Sequence, residues 1–73
     1  MNRIRTAFIG AGYRGKQLLQ LLRDFPFFEV VAVADPGIEA ADLPGMVCYN
    51  EGEDDYLNML DREKPELVFV TSP

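Results

Sequence analysis

The sequence predicts an α/β chain: part of a doubly wound parallel sheet with strand order 3-2-1-4. Three observations carry this. Four runs rich in apolar β-formers, at residues 4–9, 28–34, 46–49 and 66–71, are separated by connections, two of them with clear helical periodicity. The run Phe28-Glu29-Val30-Val31-Ala32-Val33-Ala34 is almost continuously apolar, as a parallel strand covered on both faces must be. A glycine turn, Gly10-Ala11-Gly12-Tyr13-Arg14-Gly15, joins the first strand directly to the first helix. Right-handed crossovers then lay the strands out in the order 3-2-1-4. Ligand is expected past the carboxyl ends of strands one and four, where the order reverses.

The elements follow in turn. Gly15, Leu18, Leu19, Leu22 and Phe25 recur at spacings of three and four and give the first helix one apolar stripe. Phe25-Pro26 should end it, since proline disfavours helical geometry in the residue before it. Asp35-Pro36-Gly37 breaks the second strand, and residues 38–43 leave room for a helical turn or two before Pro44-Gly45. Met46-Val47-Cys48-Tyr49 reads as a short strand. Asn50 and Glu53 have the spacing of a helix-capping pair, with Gly52 counting against it. Glu53, Asp54 and Asp55 suit the positive end of a helix dipole, and Tyr56, Met59 and Leu60 supply an apolar stripe. Lys64-Pro65 stops this helix, and Glu66-Leu67-Val68-Phe69-Val70-Thr71 forms the last strand before Ser72-Pro73.

Each glycine of the G-x-G-x-x-G turn has its own task. Gly10 allows a tight exit from the strand, Gly12 leaves room for a pyrophosphate to approach the backbone, and Gly15 permits close packing of helix on sheet. The unpaired N–H groups of the first helical turn then face the anion. Asp35 lies 20 residues after Gly15, the spacing at which an acid accepts hydrogen bonds from the adenosine ribose hydroxyls. A carboxylate there repels a 2′-phosphate by roughly 4 kcal/mol at 4 Å and an effective dielectric of 20. NAD is therefore expected over NADP, while Arg14 could offset the repulsion and leaves NADP open. The plainer alternative is a strand-to-helix connection without ligand, with Asp35 a turn former before Pro36 and Arg14 a solvated arginine. It requires turn, flanking elements and acid spacing to coincide by chance.

Composition narrows the classes. The 73 residues form one unit at most, read as the N-terminal half of a dinucleotide-binding domain with no substrate domain. A net charge of −5 and no basic cluster argue against nucleic acid as partner. Glu51, Glu53, Asp54 and Asp55 fit a solvated helix start better than a metal site, since the chain has no histidine. Cys48 is the single cysteine, so no intrachain disulfide forms, and a buried structural role is its default. No signal peptide or membrane-spanning run is visible, which makes the cytoplasm the default location. The last strand, with no lysine, proline or bulge within it, forms an edge that invites self-association.

With these residues placed, the chain resembles the N-terminal part of the glucose–fructose oxidoreductase and inositol dehydrogenase (Gfo/Idh/MocA) family. The carriers are residues 4–15, a strand followed by G-A-G-x-x-G; residues 29–36, E-V-V-A-V-A-D-P; residues 49–60; and residues 67–73, L-V-F-V-T-S-P. The resemblance implies a Rossmann fold and NAD(P)-dependent hydride transfer at a hydroxyl carbon of a sugar, inositol or related polyol. It maps Gly10, Gly12, Tyr13, Arg14 and Gly15 to the pyrophosphate loop, Asp35 to the ribose acid, and Thr71, Ser72 and Pro73 to the loop beside the riboses. The stretch 36–45 is shorter than the family's second helix, which alters the wall over the adenine. The lysine of the family's E-K-P sequence and its later acid and histidine fall outside these residues, so no catalytic residue is expected here. A non-enzymatic dinucleotide-binding or sensory module is the alternative function.

Overall fold

The computed structural model describes residues 3–10, 13–38 and 45–71, and of Tyr13 and Arg14 the backbone alone. The elements run β1 (Ile4–Ile9), α1 (Tyr13–Arg23), β2 (Phe28–Ala34), β3 (Val47–Tyr49), α2 (Asp55–Glu63) and β4 (Leu67–Val70). The four strands form one sheet in the order β3-β2-β1-β4, with every neighbouring pair parallel. This is the expected 3-2-1-4 order of a partial Rossmann fold. The helical turn expected over 38–43 lies, apart from Ile38, outside the described residues.

The sheet's two faces are chemically unlike. One carries Phe8 and Val33, which pack with Leu19 and Leu22 of α1 and with Ile38. Phe69 of β4 extends this side, its ring stacked on Phe8 with centroids 5.2 Å apart. The opposite face is lined by Ala7, Ala32 and Ala34, over which Met59 of α2 and the ring of Tyr49 are buried. Small side chains on this face leave the volume that methionine and tyrosine occupy, so each layer reaches interior density by a different route. The faces stay distinct because of one irregularity. Thr6 pairs with Val30 but Ala7 pairs with Ala32, so Val31 is an extra residue in β2, and Val31 and Ala32 both belong to the alanine side.

Element ends depart from expectation in two places. Helix α1 stops at Arg23, and Asp24 and Phe25 donate to Leu21 and Leu22 in tightened i→i+3 turns. Phe25 therefore leaves the apolar stripe and is exposed. The capping pair expected at Asn50 and Glu53 does not form either. Gly52, at φ 137°, breaks the approach and α2 begins only at Asp55, with no side-chain bond from its N-cap Asp54. Asn50 Nδ2 instead donates to the Ile38 carbonyl, 2.7 Å away. Asp55 accepts from Asn58 Nδ2 at 2.8 Å and from the Glu51 N–H at 3.1 Å. Those two bonds, the Asn58 one first, lower the Asp55 pKa. At the far end Lys64 takes a left-handed conformation (φ 47°) and donates its N–H to Leu60 O, which closes the helix before Pro65.

A polar cluster ties α2 to the amino end of β1. The Tyr49 hydroxyl donates to Glu63 Oε2 at 2.7 Å, and Arg5 Nη2 donates to the Glu63 carbonyl at 2.8 Å while lying 3.7 Å from its Oε1. Burial, then the Glu63 hydrogen bond and charge, raise the Tyr49 pKa. A phenol whose pKa is raised on folding contributes stability below its unfolded pKa, about 10, and loses it as pH rises through the folded value. Tyr49→Phe should cost about 1–2 kcal/mol at neutral pH. The gap to wild type should narrow above about pH 10. Urea titrations from pH 7 to 11 measure both, and a constant difference across that range would show that folding does not raise the Tyr49 pKa.

Candidate functional site

The carboxyl ends of β1, β2 and β4 meet at one edge of the sheet, and the sequence places a chemically useful residue just past each. Gly10 follows β1 with φ 89°, a left-handed conformation that glycine adopts without the cost a Cβ would impose. Its N–H donates to Ala34 O of β2 at 2.8 Å. On its other side the Thr71 hydroxyl donates to the Gly10 carbonyl at 2.6 Å, and the Thr71 N–H donates to Ile9 O at 2.9 Å. The start of the turn is thus clamped from both neighbouring strands.

Gly15, in the first turns of α1, is buried against the same contact. A Cβ at this position would stand 2.6 Å from Thr71 Oγ1 and 3.1 Å from the Gly10 carbonyl oxygen. The close approach demanded of the third glycine is therefore an approach to Thr71 as much as to the sheet. It sets the amino end of α1 directly beside the turn. There the first N–H groups of the helix lack intrahelical acceptors and the helix dipole is positive, a setting that suits an anion.

Asp35 sits past the end of β2. Its N–H donates to Tyr49 O of β3 at 3.0 Å, and its Oδ1 accepts from the Gly37 N–H at 2.8 Å. This side-chain turn, with Ile38 N–H donating to the Asp35 carbonyl at 3.2 Å, orients the half-buried carboxylate. A further concavity of about 300 Å3 lies at the start of α2, lined by Glu51, Gly52, Glu53, Asp54, Asp55 and Asn58. Its four carboxylates make it a poor receptor for phosphate.

Of the nine residues the sequence singles out, the structure brings Gly10, Gly15 and Thr71 into one contact, with Asp35 on the adjoining strand end. Tyr13 and Arg14 open α1. Gly12, Ser72 and Pro73 lie outside the described residues. Sequence reasoning missed the Thr71–Gly10 bond, since nothing local couples positions 61 residues apart. The described residues contain no helix long and apolar enough to cross a membrane.

Comparison with known proteins agrees with this geometry. The family model described as "Oxidoreductase family, NAD-binding Rossmann fold" matches residues 4–73. The chain is 31% identical over 80 positions to a glycosyl hydrolase family 109 protein of Saccharopolyspora erythraea, covering 96% of this chain and 17% of that protein. It is 30% identical over 80 positions to a glycosyl hydrolase family 109 protein of Streptomyces filamentosus, covering 96% of this chain and 16% of that one. The chain therefore spans about a sixth of the length of these curated relatives. A match to the family model over almost the whole chain, on a sheet of the matching order, has one conclusion: the chain belongs to the Gfo/Idh/MocA oxidoreductase family and carries its NAD-binding Rossmann fold.

Proposed function

We propose that the chain is the cofactor-binding part of an enzyme that transfers hydride between NAD and a carbon of a sugar, inositol or related polyol. The observation that carries the reading is the convergence of Gly10, the amino end of α1, Asp35 and Thr71 at one edge of the sheet. Gly10, Gly12 and the backbone of Tyr13, Arg14 and Gly15 hold the pyrophosphate, Asp35 accepts from the adenosine ribose hydroxyls, and residues 71–73 lie beside the riboses. The bound nicotinamide supplies a two-electron acceptor or donor, and this chain's residues bind it and orient it. The relatives' name supports a sugar-like substrate and favours a second reading, in which the dinucleotide serves glycoside cleavage. Assays on a polypeptide that includes this chain would separate the two. Release of sugar from an aryl glycoside without net NADH would favour cleavage, and NADH formed from a free polyol would favour the dehydrogenase.

The cofactor reading is tested by titrating NAD and NADP into the wild-type chain and Asp35→Ser. Serine keeps one hydrogen-bonding group but loses the charge, so the difference in binding free energy between the two cofactors should move toward NADP by about 1–3 kcal/mol. A wild type that already prefers NADP would show that Arg14 dominates over Asp35. Among the described residues strand β4 pairs only with β1, and its Val70 is 67% exposed. Self-association through this edge belongs to the same reading, and sedimentation velocity that finds a monomer at high concentration would remove it.

A further inference from the structure

We propose that Thr71 is a positioning residue for the glycine turn, acting on the bound dinucleotide through the Gly10 carbonyl and not by donating to the cofactor itself. The inference rests on the dinucleotide reading above. Three facts support it. A carbonyl cannot donate, so in the 2.6 Å contact between Thr71 Oγ1 and Gly10 O the proton is the threonine's. A hydroxyl has one proton to give, and this one is committed to the turn. The contact is also half-buried: Gly10 and Gly15 are buried, Thr71 is partly so, and its side chain fills the space a Cβ on Gly15 would need.

The geometry explains why the bond should matter to binding. Gly10 is at φ 89°, where a glycine has several backbone alternatives of similar energy. Its N–H is held by Ala34 O, which fixes one side of the residue. Peptide groups are planar and almost always trans, with the N–H opposite the C=O. Anchoring the carbonyl on Thr71 therefore sets the direction in which the glycine turn starts, and with it the N–H groups meant for the pyrophosphate. Thr71 N–H is in turn fixed to Ile9 O, so the hydroxyl is presented from a sheet ladder and not from a free loop. Orientation of the turn is thus paid in advance by β4, an element distant in sequence.

This assigns positions 15 and 71 to one steric unit. Alanine is intrinsically the better helix former, so a glycine inside α1 needs a reason. The reason is Thr71 Oγ1 at 2.6 Å, with Gly10 O at 3.1 Å as the second neighbour.

Two measurements on the full chain test the proposal. In calorimetric titrations, T71V, which keeps the shape and loses the hydroxyl, should weaken NAD and ADP-ribose about tenfold. T71S should stay within about threefold of wild type, and adenosine, which lacks the pyrophosphate, should change less than about threefold in T71V. Unchanged NAD affinity in T71V, an equal loss in T71S, or an equal loss for adenosine would each overturn the positioning role. The second measurement needs no ligand. Thermal melts of G15A, T71A and the double variant should show that G15A lowers the melting temperature at most half as much once Thr71 is alanine. Equal lowering in both backgrounds would overturn the steric unit. A wild-type chain that takes up no NAD would defeat the dinucleotide reading instead, and the clamp would then be decided by the melts alone.

Discussion

Phe8→Ala is expected to leave the chain largely unfolded at 25 °C. Phe8 lies on β1, between β2 and β4, is fully buried, and stacks on Phe69 while packing with Leu19, Leu22, Val33 and Ile38. Truncating a buried phenylalanine costs about 3–5 kcal/mol, part transfer free energy and part cavity. A chain of this length has about 4–11 kcal/mol in total at typical values per residue, and small domains lie at the low end because they bury less of their surface. Phe27→Ala is the control: that ring is 52% exposed, and surface changes usually stay within about 0.5 kcal/mol. Circular dichroism melts and urea titrations read both. A cooperative Phe8→Ala transition within about 1 kcal/mol of wild type would place the main core elsewhere.

Gly12→Val is expected to remove NAD binding, by about a hundredfold or more, with little change in melting temperature. The middle glycine of G-x-G-x-x-G is where a pyrophosphate comes closest to the backbone, and a valine side chain takes the space of its oxygens. About 2.7 kcal/mol of steric and desolvation cost is enough for a hundredfold. A glycine brings no side chain to a core, which is why stability should hold. Calorimetry beside thermal melts separates the effects. Equal NAD affinity in wild type and variant would show that the pyrophosphate does not sit on this turn, and a large fall in melting temperature would make Gly12 structural.

Much of the fold was legible because its signals are local. The almost unbroken apolar run of β2 announced a strand covered on both faces, and Leu18, Leu19 and Leu22 announced α1 by their spacing. Gly10, Gly15 and Asp35 were readable as a candidate site because a turn, a helix start and a strand end each fall at a set distance along the chain. The helix starts were less readable. Asn50 had the right spacing for a cap, but its side chain found the Ile38 carbonyl, a partner that only the folded chain supplies.

Local pattern was enough for the strand order, the position of the glycine turn and the placing of Asp35 and Thr71 at the carboxyl ends of the strands. These follow from periodicity, glycine stereochemistry and the handedness of crossovers, all properties of short segments. Tertiary structure alone decided which face would be alanine and which phenylalanine, since Val31 had to be extruded from the β1–β2 register for Ala32 and Ala34 to receive Met59 and Tyr49. It also decided what Gly15 packs against. The atom that a side chain there would meet first belongs to Thr71, 2.6 Å from where a Cβ on Gly15 would stand and set there by a parallel pairing between the first strand and the last. A contact across 56 positions leaves no mark in local pattern, because its energy depends on where the sheet brings the two strand ends together.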